Sequence, residues 1–194
     1  VADGALREGL LYDLVGRLTD EDARVRSVRS LEARFHVDAA QADRVEATAL
    51  SFLAQVREAW KLDEPLAELA LGWAARLHEI GLDIAHAHYH RHGAYLLQHA
   101  DLPGFPREEQ QLLAAVVGSH RRKINPALLE DLVPPWHLKG EFLIVLLRFA
   151  VLLHRARGPR ALPAIALKPR GRSLEAAFPK GWLAEHPLTV ADLE

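Results

Sequence analysis

Apolar residues recur along most of this chain at the three- and four-residue spacing of amphipathic helices. The clearest stretch begins after Asp38, a favourable N-cap with Gln41 three positions later, and its apolar stripe continues to Trp60. A fold dominated by helices is therefore expected. The same spacing predicts further helices over residues 5–18, 19–35, 65–80, 86–99, 106–120 and 140–156.

Alternating apolar and polar residues replace the helical spacing after Gly158. The alternation between residues 165 and 178 predicts a small β-hairpin. Beyond it we expect a short helix and then, after a proline, a second helix with Thr189 as its N-cap. The predicted fold class is therefore mainly α, with a helical domain over residues 19–157 and a small C-terminal α+β subdomain over residues 158–194.

The size and composition of the chain are those of a folded domain. Its 194 residues, 49% of them hydrophobic, suffice to bury a core. Because it has no cysteine, disulfides and thiolate metal sites are excluded. The longest apolar run, residues 142–153, is shorter than the roughly 20 residues of a membrane span, so no span and a cytoplasmic location are expected. The start on Val1 and the lack of methionine predict a piece of a longer protein.

Charge is distributed unevenly along the chain. The formal net charge is -2, yet residues 1–118 carry 12 basic and 19 acidic side chains, whereas residues 119–194 carry 12 basic and 7 acidic ones. Within the second part, residues 148–182 hold 8 basic side chains against the single acid Glu175. This local excess of positive charge predicts a polyanionic partner.

Four histidines occupy alternate positions in the sequence HAHYHRH. On a helix, His86 would pair with His90 and His88 with His92, and such i to i+4 pairs can bind a metal ion. The alternative is that they are ordinary polar residues of a helix surface or buried hydrogen-bonding groups. Their spacing leaves both interpretations open.

A His-Glu doublet, His78 and Glu79, lies at the end of a predicted helix and resembles the signature of the histidine-aspartate (HD) superfamily. That resemblance implies a metal held by an early-helix histidine, the signature pair and a late-helix aspartate, with the metal activating water against a phosphate ester. The corresponding positions here are Gln41, Glu79 and Val151. An HD-like helical scaffold whose metal chemistry has been lost is therefore expected, and His78 and Glu79 remain weak metal candidates.

The basic run His120 to Lys123 follows a predicted helix. Cations at that position complement the helix dipole, which is one interpretation, and binding of a polyanion is the other. Few aromatic residues interleave the charges, which disfavours nucleic acid and favours a phosphate chain without bases. No GxxxxGK, GxGxxG or GxSxG motif occurs, so the sequence shows no reaction centre of those kinds.

The segments LHEIGLDIAHAHYHRHGAYLLQHADLPGF, SHRRK and FPKGWLAEHPLTVADLE resemble the C-terminal half of the bacterial exopolyphosphatase/guanosine pentaphosphate phosphohydrolase (Ppx/GppA) family. The opening DGALREGLLYDL is similar to the last helix of that family's actin-like catalytic core, which implies that residues 1–18 are the terminal helix of that core. The resemblance covers nearly the whole chain.

The resemblance implies a parent enzyme that releases terminal phosphate from inorganic polyphosphate in a magnesium-dependent reaction. An upstream actin-like domain would carry out the chemistry, so this region would contain no catalytic residue and need no cofactor itself. Its implied role is to bind polyphosphate and to form a homodimer. The residues expected to line the polyphosphate path are His90, Arg91, His92, His120, Arg121, Arg122 and Lys123.

Two alternatives remain open at this stage. The first is the C-terminal region of a guanosine pentaphosphate phosphohydrolase, the other branch of the same family, although DGALREG and SHRRK favour the polyphosphate branch. The second is an autonomous metal-dependent HD phosphohydrolase that uses His78 and Glu79.

Overall fold

The structure, a computed structural model, describes residues 23–158 and 161–193. The helix predicted over residues 5–18, the expected N-cap Thr19 and the proposed terminal helix of an upstream core lie outside these ranges. Within the described residues the fold is mainly helical and ends in a small antiparallel hairpin, so the predicted fold class is confirmed.

Eight helices and one hairpin make up the described part of the chain, apart from short 3₁₀ turns at Ile80–Asp83 and Leu183–Glu185. The strands are β1 (Ala166–Arg170) and β2 (Ser173–Ala177), and their register places Lys168 opposite Glu175. The helices are α1 (23–34), α2 (Ala39–Val56), α3 (Pro65–Leu77), α4 (Tyr89–His99), α5 (Arg107–Ser119), α6 (Ala127–Glu130), α7 (Trp136–Leu153) and α8 (Pro187–Leu193).

Local sequence signals explain where two of the central helices start. The Asp38 carboxylate accepts a hydrogen bond of 3.0 Å from the backbone N–H of Gln41, which confirms the predicted cap of α2. Helix α3 begins at Pro65, where the missing N–H costs nothing because the first turn has no intrahelical acceptor.

Helices α2, α3, α5 and α7 enclose the core, and α4 packs against α5. Each of the four contributes a large apolar side chain that is completely shielded from solvent: Leu53, Leu71, Leu112 and Leu146. Helix α7 is apolar around most of its circumference because it runs through the middle of this core. None of the described helices is both long and apolar enough to cross a bilayer.

Two side chains of the helical part fix the hairpin in place. Gln55 of α2 donates from its amide to the Ile165 carbonyl at 3.2 Å and accepts from the Leu167 N–H at 2.9 Å. The Trp60 indole N–H donates to the Gly171 carbonyl at 3.0 Å in the hairpin turn. The hairpin is therefore held by backbone-directed hydrogen bonds as well as by apolar packing.

Three predicted helix starts are wrong. Helix α7 begins at Trp136 rather than at residue 140. Helix α4 begins at Tyr89 rather than at residue 86, because His88 has a left-handed backbone (φ 57°) that cannot continue into preceding helical turns. His86 therefore lies outside the helix and does not pair with His90 across a helical turn, whereas His88 is the N-cap residue of α4. Helix α8 begins at Pro187, so Thr189 lies inside it and is not its N-cap.

Candidate anion-binding site

Two buried histidines terminate the helices that lead into the site. His78 is the C-cap of α3 and His120 is the C-cap of α5. Each Nδ1 lies 2.6 Å from a carbonyl three residues earlier, that of Ala75 or Val117, and because a carbonyl only accepts, each Nδ1 carries the hydrogen. Burial lowers the pKa of both rings. These are neutral capping residues whose rings meet edge to face, 5.5 Å apart.

The weak metal candidates His78 and Glu79 are not completed by a third ligand. Nε2 of His78 lies 3.8 Å from Oε1 of Glu79, and that oxygen accepts a hydrogen bond of 2.6 Å from Arg157. Over the described ranges, no three His, Asp or Glu side chains converge in an arrangement suited to a metal ion. The carboxylate is thus engaged by an arginine rather than directed at a metal position.

The three positions that correspond to HD metal ligands, Gln41, Glu79 and Val151, do line one cavity. Gln41 is tied into the structure there, since its Nε2 donates to the His154 carbonyl at 2.9 Å. Val151 offers no donor atom. The three positions thus lie together, but their side chains do not form a metal site.

This cavity, with a volume of about 940 Å³, lies between the ends of α5 and α7, the hairpin and α8. Among its described lining residues, two are acidic, Glu79 and Asp192, and five are arginines. We call it the arginine cavity after those five residues: Arg121, Arg122, Arg148, Arg155 and Arg157.

Carboxylates already engage two of these arginines. Arg157 bridges Asp38 at 3.2 Å and Glu79 at 2.6 Å, which joins the start of α2 to the end of α3. Arg155 contacts both carboxylate oxygens of Asp192 in α8 through a single nitrogen, at 2.5 Å to Oδ2. A guanidinium that binds carboxylates can also bind a phosphate.

The remaining contacts in the cavity are to backbone and aromatic groups. Arg148, which is partly buried, donates to the carbonyls of Ser119 at 3.1 Å and Arg122 at 2.6 Å. The guanidinium of Arg121 lies 4.8 Å from the centre of the Tyr89 ring, a cation–π distance. Arg148 therefore organises the turn after α5, while Arg121 is positioned by an aromatic face and has no carboxylate partner among the described residues.

A second cavity of about 870 Å³ runs along α4, next to the segment 118–128. No acidic residue is among its described lining residues. We call it the basic groove and define it by its five basic side chains: His88, His90, Arg91, Arg122 and Lys123.

The His90 ring is only 4% exposed, and its buried Nδ1 has no hydrogen-bond partner among the described residues. Its pKa falls to about 4, first because of burial and then because of nearby cations, Arg121 and Arg91 foremost. His90 is therefore neutral at pH 7, and its lowered pKa reflects in part the positive potential of the cations around it.

Six of the seven residues predicted to line a polyphosphate path fall into these two compartments. His120 and Arg121 line the arginine cavity, and Arg122 lines both cavities. His92 lines neither. The groove takes the other three: His90, Arg91 and Lys123. Whether any of the seven contacts phosphate stays a prediction.

Three arginines of the site were not among those seven residues: Arg148, Arg155 and Arg157. The signal that pointed to them was the basic excess over residues 148–182. That signal was too broad to separate them from Lys168 or Arg170 on the exposed hairpin.

Residues 23–194 match the family model for the Ppx/GppA phosphatase, domain III, and the chain belongs to this family. It is 40% identical, over its full length, to the guanosine-5'-triphosphate,3'-diphosphate pyrophosphatase of Vibrio cholerae. The proteins with the same name from Vibrio vulnificus and Pseudoalteromonas translucida are 36% and 35% identical. In each case the chain spans 39% of the relative's length.

Proposed function

We propose that this chain is the substrate-holding C-terminal region of a Ppx/GppA phosphatase and that the arginine cavity binds the phosphoanhydride chain of the substrate. The observation that carries the proposal is the concentration of five arginines against two carboxylates in one cavity. A cavity of this composition favours an anion with several negative charges.

Binding would proceed by exchange of partners around fixed guanidinium groups. Arg155 and Arg157 form ion pairs with Asp192 and Glu79, and an entering phosphate would take the place of these carboxylates. Arg121 needs no such exchange. Each phosphate that enters would accept charge-assisted hydrogen bonds from the guanidinium groups. This exchange of partners requires no movement of the backbone.

The first candidate substrate is guanosine-5'-triphosphate,3'-diphosphate, because the relatives described above carry that compound in their names. Inorganic polyphosphate is the second. It is favoured by the continuity of the basic surface, since Arg122 belongs to the walls of both cavities and joins them into one cationic path. A long phosphate chain would use the whole path.

Hydrolysis itself is assigned in this proposal to an upstream actin-like domain of the parent enzyme. The described residues do not form a magnesium site, so the magnesium that the family resemblance implies would be held outside them. A homodimer, in which two such regions lie side by side, is the assembly we propose for the parent enzyme.

Calorimetric titration of the protein with inorganic tripolyphosphate at two salt concentrations tests the proposal. We expect binding that weakens steeply with salt, and a loss of about tenfold in affinity for Arg121→Ala, as for a charged hydrogen-bonding group. Arg107→Ala, an exposed arginine at the start of α5 and outside both cavities, is the matched control. Equal affinity of the two variants, or no binding at low salt, would contradict the proposal.

A further inference from the structure

The basic groove differs from an ordinary charged surface in that nothing offsets its positive charge. Arg91 and Lys123 form no ion pair with any described acidic side chain, and no acid lines the groove. Neighbouring cations, Arg121 first and then Arg91, also help to lower the pKa of His90. An anion in this groove would meet unpaired cations from the start.

An aromatic side chain stands in the same groove. Tyr95 lines it and is 62% exposed, which is unusual for a large ring in the middle of a helix. His99, one turn later, stacks on Tyr95 with ring centres 4.2 Å apart and planes inclined by 26°. A hydrogen bond of 2.9 Å from His99 Nδ1 to the Tyr95 carbonyl holds His99 in place. One face of Tyr95 is therefore covered by His99, and the rest of the exposed ring is available to a ligand in the groove.

Neutral hydrogen-bonding groups complete the lining. The amides of Gln98 and Asn125 belong to the wall, and His90 contributes the buried, unpartnered Nδ1. A buried polar atom without a partner costs stability unless a ligand or water satisfies it. His90 is among the residues of the groove wall, and its Nδ1 is a polar atom that the described residues leave unsatisfied.

We propose that the basic groove is a nucleotide site, with the phosphates on Arg91, Arg122 and Lys123 and the base stacked on Tyr95. The inference rests on the proposed function, which makes phosphate compounds the ligands of this region: the groove holds the nucleotide, and the arginine cavity holds a phosphate chain. It adds a means of selection, because a ligand with a base gains a stacking contact that a bare phosphate chain lacks.

Comparison of GTP with inorganic tripolyphosphate is the direct test, because the two share a triphosphate chain and differ in the nucleoside. We expect GTP to bind about tenfold more tightly, the scale of one base stacked on an aromatic ring. Tyr95→Ala should remove that difference and leave the affinity for tripolyphosphate unchanged. Tyr95→Phe, which keeps the ring, should retain the difference.

A second measurement separates the phosphate contacts from the stacking contact. Arg91→Ala should weaken GTP several-fold, and GTP should raise the pKa of His90 in an NMR titration because phosphate stabilises the protonated ring. Circular dichroism of each variant checks that the fold is intact. Tyr95 and Arg91 are both exposed, so neither substitution removes core contacts.

The outcomes distinguish this inference from the function on which it rests. Equal affinities for GTP and tripolyphosphate, insensitive to Tyr95, would overturn the nucleotide site and leave phosphate binding in the arginine cavity intact. A preference for GTP that survives Tyr95→Ala would place the base elsewhere and overturn it as well. GTP binding that depends on Tyr95, with tripolyphosphate binding insensitive to Arg121, would instead support the nucleotide site and contradict the arginine cavity.

Discussion

The arginine cavity and the basic groove are neighbours of the same sign, yet their charges are held in different ways. In the cavity, Arg155 and Arg157 are bound by carboxylates of the protein, and Arg148 by backbone carbonyls. In the groove, Arg91 and Lys123 have no carboxylate partner among the described residues. The cavity arginines therefore connect parts of the fold, whereas Arg91 and Lys123 do not.

This difference teaches which cations a substitution can remove without harm to the structure. A guanidinium that joins two helices contributes to folding and to ligand binding together, so its loss is difficult to interpret. An unpaired surface cation contributes only to the potential that a ligand meets. The largest effect is expected from a change that should disrupt the cavity and the groove together.

Gly81→Ala should have the largest effect. A Cβ at this position would lie 2.0 Å from the Tyr89 carbonyl oxygen and 2.6 Å from the Gly93 nitrogen, where the 3₁₀ turn crosses the start of α4. Backbone atoms cannot yield as a flexible side chain does, so we expect a loss of about 3 kcal/mol or more in the free energy of unfolding. Chemical denaturation measures it. Gly158→Ala is the control, because a Cβ added there would meet no described atom within 4 Å, its chain neighbours aside. Similar stabilities for the two variants would show that α4 can shift away from the turn.

Acidification should be next in size. The pKa values of His78, His90 and His120 are lowered in the folded state, so the unfolded chain binds protons more readily. The contribution of these histidines to the free energy of unfolding is therefore fully present above the ordinary histidine pKa. It falls as pH drops from about 7 towards 4. For His90, whose pKa is about 4, we expect a loss of about 1 to 3 kcal/mol over that range. Denaturation at several pH values, with His90→Gln giving a shallower slope, checks this. If the free energy of unfolding of the variant fell with pH as steeply as that of the parent protein, His90 would be excluded as a source of the pH dependence.

Arg157→Ala and Arg91→Ala should separate the two regions by their effects on folding. The first leaves Glu79, only 11% exposed, without its partner and should lower the free energy of unfolding by about 1 kcal/mol. The second should change it by less than about 0.5 kcal/mol, as for an unpaired surface residue. Thermal unfolding of both variants measures the contrast. Equal destabilisation would mean that the groove cations are also structural.

Asp192→Asn should produce the smallest effect, and on binding rather than on folding. Asp192 occupies Arg155 of the arginine cavity, so its carboxylate competes with an entering phosphate. Neutralisation should tighten tripolyphosphate binding about threefold, as expected for one charge near a solvated surface. Glu175→Gln, which removes an equivalent carboxylate from the Arg170 pair on the hairpin, is the matched control. An affinity that responds equally to both changes would reflect net charge alone.

The parts of the fold that the sequence predicted are those with local causes. The Asp38 cap and the two-residue alternation of the hairpin are encoded within a few positions, and both are confirmed. The start of α4 was missed because the left-handed backbone of His88 is imposed where the chain returns from the 3₁₀ turn. Helical propensity of the HAHYHRH segment gives no sign of that constraint.

The candidate site was predictable in composition but not in arrangement. The basic run after α5 was recognised, yet its division into two compartments depends on how α4, α7 and the hairpin meet. A helix-end role was one interpretation of the run that starts at His120, but the capping role of His78 was missed, although both directly follow a helix, where a histidine can hydrogen-bond the last turn. Their burial and mutual contact come from tertiary packing alone.

Arg122 belongs to the walls of both compartments, and its backbone is left-handed with φ 62°. Two anions that bind on either side of it must share one guanidinium. Occupation of one compartment then alters the affinity of the other, and thermodynamic linkage requires the effect to be equal in both directions. A nucleotide in the groove would thus change the affinity of the cavity for a phosphate chain by a certain factor. The phosphate chain would change the affinity of the groove for the nucleotide by the same factor.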